Sequence, residues 1–379
     1  MRVLVLDTYY PAFLADHYGA RPALAGLAYE EQLAALMDRC FGTSDTYSRH
    51  LRELGHEAID IVANCEPLQQ RWASDHAGST RTVRRIDALL PGRAGALARR
   101  TLLRRIALAQ IEAFDPDVVY VQDLAFLGNR ELDALSRAGR LLAAQIASVL
   151  PTKERLRKFD VLLTSFPHYV ELFRSWKLDA EYLKIAFDAK VLDRLRGLGI
   201  EPAPNAPRQH AVAFVGGLGT DIWCEGTRVL ERAVGAVGVD VWGYGADTLP
   251  TTSSILTRYH GEAWGLDMYK VLAQSRIVLN RHGEIADGYA NNMRLYEASG
   301  VGALLVTEAR RNLTDLFEPG REVVDYEDEN DLIDKLRHYV VHDDERRSVA
   351  AAGQERTLHE HTYANRMAEL ASILEARLR

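Results

Sequence analysis

Gly197-Leu198-Gly199-Ile200-Glu201-Pro202-Ala203-Pro204-Asn205-Ala206-Pro207, followed after three residues by Ala211-Val212-Ala213-Phe214-Val215 and Gly216-Gly217-Leu218-Gly219, is where the chain starts afresh. Its prolines and glycines rule out a continuing helix or a central strand, so the segment reads as a linker. The apolar run that follows, closed by glycines, reads as the first strand of a second α/β set. On the upstream side, strand-like runs lie at Val3 to Leu6, Ala58 to Val62, Val118 to Val121, Leu142 to Ile146, Val161 to Thr164 and Tyr182 to Ile185. Downstream they lie at Ala211 to Val215, Val239 to Trp242, Ile277 to Leu279, Ala303 to Val306 and Glu322 to Val324. Helical patterns separate them, which is the signature of parallel sheets built from βαβ units. The expected fold is α/β, with two Rossmann-like doubly wound domains at 1–197 and 209–361 joined by a linker at 198–208. A last helix, 362–379, is expected to pack back on the first domain.

A length of 379 residues suits two such cores, and 47% hydrophobic with 26% charged residues is a globular composition. The net charge of −7 argues against a general nucleic-acid binder. Cys40, Cys65 and Cys224 are widely spaced and match no metal-ligand pattern, which reads as free thiols in a reducing compartment. With no apolar run of membrane-spanning length and no signal-peptide pattern, the expected location is the cytoplasm.

Ligands of open parallel sheets bind beyond the carboxyl ends of the strands. That rule selects Asp7, Gln122, Asp123, Gln145 and Ser165 to His168 in the first domain. In the second it selects Gly216 to Asp221, Gly243 to Gly245, Asn280 to Gly283 and Thr307-Glu308. After Asn280, the polar loop from Arg281-His282-Gly283 leads to a helix beginning near Asn291 or Asn292, residues suited to cap it. Arg294 in the first turn is disfavoured by the helix dipole unless an anion such as a diphosphate is present. Asn291, Arg294 and Glu297 share one face, and Glu297 could accept hydrogen bonds from a ribose diol. The same spacing would equally give a surface i,i+3 ion pair.

The run Ala290-Asn291-Asn292-Met293-Arg294-Leu295-Tyr296-Glu297-Ala298-Ser299-Gly300, with Gly302-Ala303-Leu304-Leu305-Val306-Thr307 after it, resembles the C-terminal domain of the CgeB-like spore-maturation glycosyltransferases. Asn312-Leu313, Asp315-Leu316-Phe317, Gly320-Arg321-Glu322-Val323-Val324, Asp344-Glu345-Arg346 and His361-Thr362-Tyr363 are similar too. So are Tyr47-Ser48-Arg49-His50-Leu51, Leu54-Gly55-His56-Glu57-Ala58 and Val119-Tyr120-Val121-Gln122-Asp123 in the first half. The resemblance implies a GT-B architecture, two domains facing a central cleft. It also implies a retaining, hexosyltransferase-like transfer from a UDP-, GDP- or dTDP-sugar to a small-molecule, glycan or protein acceptor. Related retaining enzymes carry two glutamates separated by seven residues. Glu297 fits the second, but Tyr289 stands at the first, so Glu284 or Asp287 would have to serve the donor sugar. Where those relatives place Arg and Lys after the first strand of this domain, the chain has Gly216-Gly217-Leu218-Gly219-Thr220-Asp221, leaving Arg281, Arg294 or Arg228 for the phosphates. The implied donor contacts are Gly216, Gly217, Arg281, His282, Asn291, Asn292, Arg294 and Glu297. Arg294 would stabilise the leaving group, and Asp123 or His168 would take the acceptor proton unless the departing phosphate does.

Neither glycine-rich turn completes G-x-G-x-x-G, so no tightly bound dinucleotide cofactor is expected. Asp115-Pro116-Asp117 has the D-x-D form of a metal-holding motif. It precedes a strand, at the wrong end for a ligand, and reads as a turn, so no metal is expected. His50 and His56 are weaker acceptor-side candidates than His168. Arg81, Arg84, Arg85, Arg93, Arg99, Arg100, Arg104 and Arg105 crowd one segment with leucines and isoleucines between them. Segment 81–105 is therefore either a membrane-contacting basic helix or a packed helix with a solvated arginine face. An epimerase of the same architecture and a non-catalytic nucleotide-sugar-binding protein are the competing functions.

Overall fold

The structure, a computed structural model, describes residues 1–76, 92–219 and 224–378, with only the backbone at 93, 94, 224 and 225. It divides into two compact units, Met1–Leu183 with Met367–Arg379, and Lys184–Arg366.

In the first unit, β1 (Arg2–Asp7), β2 (Glu57–Val62), β3 (Val118–Val121), β4 (Leu141–Gln145), β5 (Val161–Thr164) and β6 (Ala180–Tyr182) form one sheet in the order β2-β1-β3-β4-β5-β6. Every pairing is parallel. The runs Val3 to Leu6, Val118 to Val121 and Val161 to Leu163 are wholly buried, because a parallel sheet is covered on both faces. The helices are α1 (Pro11–Ala20), α2 (Tyr29–Met37), α3 (Thr46–Glu53), α4 (Glu66–Asp75), α5 (Gly92–Phe114), α6 (Asn129–Arg137), α7 (Lys153–Leu156) and α8 (Pro167–Ser175). Strand β6 lies two residues earlier than the sequence pattern suggests. Its register is Leu162 opposite Ala180, and Leu183 N–H only extends the ladder to the Thr164 carbonyl.

Part of the arginine cluster has a local task. Arg100 and Arg104 donate to the carbonyls of Ala125 and Phe126, and Arg155 donates to Leu124, Leu127 and the Asn129 side chain, so three guanidiniums hold the loop after β3. Arg99 and Arg105 are exposed, while Arg81, Arg84 and Arg85 and the Arg93 side chain lie outside the described residues. No helix among the described residues is long and apolar enough to cross a membrane. The Asp115-Pro116-Asp117 turn sits at the amino end of β3, where Asp115 takes a left-handed φ of 48° and Asp117 accepts the Arg2 N–H at 2.6 Å.

The second unit contains β7 (His210–Val215), β8 (Asp240–Trp242), β9 (Ser275–Leu279), β10 (Leu304–Glu308) and β11 (Val324–Tyr326), parallel and ordered β11-β10-β9-β7-β8. Strand β11 starts later than expected, since Val323 is used in a turn bridge to Pro319 and Val324 is the residue opposite Val306. Its helices are α9 (Lys190–Gly197), α10 (Cys224–Val237), α11 (Leu266–Ala273), α12 (Arg294–Gly300), α13 (Glu329–Val341), α14 (Asp343–Glu360) and the start of α15 (Tyr363–Leu378). From Met367 onward α15 groups with the first unit, where Arg377 pairs with Asp179 at 2.6 Å and with Glu181 at 2.8 Å.

Because this unit begins at Lys184, the segment 198–208 lies inside it. Arg208 fastens that segment. Its guanidinium donates to the carbonyls of Leu272, Ala273, Ser275, Ala203, Val301 and Gly302. Four of these close α11 and α12, where unpaired carbonyls and the negative end of the helix dipole both favour a cation. Burial lowers the Arg208 pKa to about 10, which leaves it charged at neutral pH.

Candidate functional site

In each sheet the chain winds outward in both directions from one pair of strands, β1/β3 in the first unit and β7/β9 in the second. The carboxyl ends of those pairs are the topological switch points where such folds bind ligands.

At the second switch point, the loops after β7 and β8 run side by side. Gly216 N–H donates to the Trp242 carbonyl at 3.1 Å and Leu218 N–H to the Tyr244 carbonyl at 2.8 Å. A Cβ on Gly243 (φ 152°) would lie 1.7 Å from the Gly216 oxygen, and one on Gly245 (φ 86°) 2.2 Å from the Leu218 oxygen. The two glycine-rich turns thus need glycine because they pack on each other. The Gly216 N–H is already used. Arg281 donates to the Gly217 carbonyl, lies 5.2 Å from the Phe214 ring centre, and rests on α10 where only Gly226 leaves room for it. Burial brings its pKa down to about 10.

Helix α12 begins at Arg294, later than the sequence pattern suggests, since the backbone bonds of its first turn start from the Met293 carbonyl. Asn292 reaches the Leu295 N–H at 3.3 Å and donates to the Asn280 side chain and the Arg281 carbonyl, each at 2.8 Å. Asn291 N–H donates to His282 Nδ1 at 3.2 Å, and His282 Nε2 sits 3.1 Å from the Thr307 hydroxyl. Burial, with Arg310 nearby, lowers the His282 pKa to about 3, so the ring is neutral with its proton on Nε2. His282 and Asn292 therefore brace the loop 281–291, and Asn312 completes the brace through both backbone groups of Ala290. Tyr289 lies under the Arg311 guanidinium, 5.6 Å from the ring centre.

The Arg294–Glu297 ion pair forms at 2.6 Å, but it is not a surface pair: the side chains are 13% and 6% exposed. Glu297 also accepts from the Tyr269 hydroxyl of α11 at 3.3 Å. Arg294 donates to the Val215 carbonyl, the last of β7, at 3.1 Å and contacts Met268 sulfur at 3.0 Å. The guanidinium expected to meet phosphate is thus engaged in holding Glu297 against β7 and α11. Tyr269 and Met268 carry no motif of their own; only their place on a helix facing α12 could have revealed them. Arg228 pairs with Glu329 at 2.5 Å.

At the first switch point, Asp7 closes β1. Its Oδ1 accepts the Thr8 N–H at 2.7 Å, and the Thr8 hydroxyl donates to Asp123 at 2.8 Å. Asp123 also accepts the Ala125 N–H at 2.8 Å. Asp7 keeps some solvent contact yet is enclosed by protein. Desolvation, reinforced by Asp123 and Asp60, raises its pKa from 3.8 to about 7. Its position after the first strand was the signal in the sequence, and its acid–base character was not read from it. His168 follows Pro167 in the first turn of α8, within an aromatic cluster, 5.2 Å from Phe166 and 4.6 Å from Tyr169 between ring centres. His50 pairs with Glu53 at 2.6 Å, and His56 faces Glu375 of α15 at 3.7 Å.

Two predictions follow from these pairs. Arg294→Met leaves a buried carboxylate unpaired and should cost about 3 kcal/mol in urea unfolding, most of it regained when Glu297→Gln is added. A loss in the double variant equal to the sum of the losses in Arg294→Met and Glu297→Gln alone would show the two residues to be independent. For Asp7, the folded state holds a proton that the unfolded chain releases between pH 3.8 and about 7, so this group lowers stability as pH rises through that window. Relative to wild type, the unfolding midpoint of Asp7→Asn should gain steadily from pH 4 to 7 and then level off. A difference independent of pH would contradict it.

Residues 224–372 match a family model described as glycosyl transferase-like. No curated protein sequence matches the chain. Among solved structures it is similar to the Anabaena protein Alr3699/HepE in complex with UDP-glucose, with 13% identity over 99% of this chain and 100% of that one and a TM-score of 0.59. It is similar also to sucrose-phosphate synthase from Thermosynechococcus elongatus, with 12% identity over all of both chains and a TM-score of 0.56. For α,α-trehalose 6-phosphate synthase from Burkholderia multivorans the identity is 11%, over 99% and 98% of the chains, with a TM-score of 0.56. At such identities the likeness shows the fold: two parallel-sheet α/β domains of the GT-B glycosyltransferase type.

Proposed function

We propose that the chain is a glycosyltransferase that takes a nucleotide-sugar donor in its second unit, with Glu297 as the contact to the ribose. The observation that carries this reading is the buried Glu297 carboxylate, held by Arg294 and Tyr269 beside the end of β7. A carboxylate fixed by two partners keeps lone pairs for two hydroxyl donors and loses little entropy on binding them. The glycosyl transferase-like match spans α12 and its flanking loops. Arg281, which donates to the Gly217 carbonyl, is the proposed contact for the diphosphate, and Arg294 acts through Glu297. A UDP-sugar is the first donor to test, given the UDP-glucose bound to the Anabaena relative. The CgeB-like resemblance supports retaining hexosyl transfer, and the place of Asp115-Pro116-Asp117 at the amino end of β3 supports a reaction without a metal there. Asp7, titrating near neutrality and linked through Thr8 to Asp123, is the first unit's best-matched acceptor for a proton.

Tyr289, engaged by Arg311 where related enzymes carry a sugar-binding glutamate, favours one second reading: a protein that binds nucleotide sugar without transferring it. A thermal-shift screen with UDP, GDP, dTDP, CMP and their sugars addresses both. One nucleotide should raise the unfolding midpoint, and Glu297→Ala should remove most of that rise while remaining folded. Release of free nucleotide from the stabilising sugar conjugate then marks transfer or slow hydrolysis. Stabilisation without release supports the binding protein, and no stabilisation by any nucleotide overturns the donor site.

A further inference from the structure

Beyond the carboxyl ends of β9, β10 and β11 lies a pocket of about 630 Å³, bounded by the loops after those strands and by the first turns of α10 and α13. That volume holds a monosaccharide with its hydration, and the walls are charged and amide-bearing where a site for an apolar ligand would be lined by aliphatic and aromatic groups.

The charges on the inner wall are unevenly matched. Arg228 and Arg232 both reach one carboxylate, Glu329, and Arg232 also donates to the Asn330 side chain at 3.2 Å. Arg310 pairs with Glu308 at 2.7 Å, but the same Glu308 oxygen already accepts the His282 N–H at 2.7 Å. The Asp328 carboxylate is spent on capping α13, accepting the N–H groups of Asn330 at 2.8 Å and Asp331 at 3.0 Å. Glu284 and Glu327 are exposed, as are Arg228 and Arg232, so water screens all four, and Arg310 is the least exposed of the three cations. Arg228, Arg232 and Arg310 thus share two carboxylates, and a guanidinium fork matches a carboxylate or a phosphate in two parallel hydrogen bonds.

We propose that this pocket is a subsite for a sugar bearing an anionic group, a carboxylate or a phosphate, with Arg310 and Arg232 on the anion and Glu308 and Asn330 on ring hydroxyls. The assignment rests on the glycosyltransferase reading for its choice of a sugar as ligand. Arg281, proposed for the donor diphosphate, lines this pocket as well, but the assignment uses neither Arg281 nor Glu297, so the substitutions at Arg310 and Arg232 test it apart from the donor site.

Binding is measured by titration calorimetry on the full chain with four probes: glucuronate, glucose 6-phosphate, glucose and inorganic phosphate. Glucuronate or glucose 6-phosphate should bind about tenfold or more tighter than glucose, and whichever does so identifies the anion as carboxylate or phosphate. Arg310→Gln should abolish that preference. Arg232→Gln, at a half-exposed position, should keep the fold and weaken the same ligand about tenfold. Inorganic phosphate binding as tightly as glucose 6-phosphate, with glucuronate no tighter than glucose, would overturn the sugar subsite. So would the absence of binding by both anionic sugars, which leaves the arginines as a network joining α10 to α13. Adding the stabilising nucleotide to the same samples separates the two claims. Anionic-sugar binding with no nucleotide binding sinks the donor site alone, and the reverse sinks the subsite alone.

Discussion

A carboxylate removed from water must be met by charge or hydrogen bonds, or it drives the surrounding structure apart. Glu297 is such a carboxylate, and its two partners come from different places: Arg294 one turn earlier on α12, and Tyr269 on α11. Arg294 also takes the terminal carbonyl of β7. One ion pair thereby joins two helices and strand β7 at the switch point of the second sheet. It fixes where the carboxylate sits before any ligand arrives, which is what a preorganised contact requires.

Arginine solves related problems elsewhere in the chain. Arg208 collects carbonyls from the ends of α11 and α12 and ties the proline-rich segment to the second unit. Arg155, with Arg100 and Arg104, holds the loop that follows Asp123 in the first unit. Arg281 bridges the turn after β7 to the start of α10. In each case a planar group with five donors satisfies loop or helix-end carbonyls that regular structure leaves unpaired. The loops after β3 and β9 are held largely by side chains, whereas those after β7 and β8 also bond backbone to backbone.

The places of most strands and the two-sheet architecture were legible because buried parallel strands are short apolar runs closed by glycine or polar residues, as at Val215-Gly216 and Leu279-Asn280. The positions of Arg294 and Glu297 on one face were legible from their spacing. Their burial was not, because it depends on α11, which comes from a segment twenty-odd residues earlier and carries no motif. His282 and Asn292 looked like ligand contacts because they are polar and follow a strand, whereas their side chains bond to Thr307 and Asn280 within the unit. The raised pKa of Asp7 was equally hidden, since it comes from enclosure and from Asp123 and Asp60, which lie far away in sequence. The segment 198–208 has a linker's composition but belongs to the second unit, and the long-range bonds of Arg208 are the reason.

The central claim is that Glu297 reads the ribose diol of a nucleotide. It is tested most directly by measuring, on wild type and on Glu297→Ala, the affinity of the nucleoside diphosphate that binds and of its 2′,3′-dideoxy counterpart. The account predicts that removing the hydroxyls weakens binding about tenfold in wild type and hardly at all in the variant, because the partner they would lose is already gone. The same penalty in both proteins would contradict it.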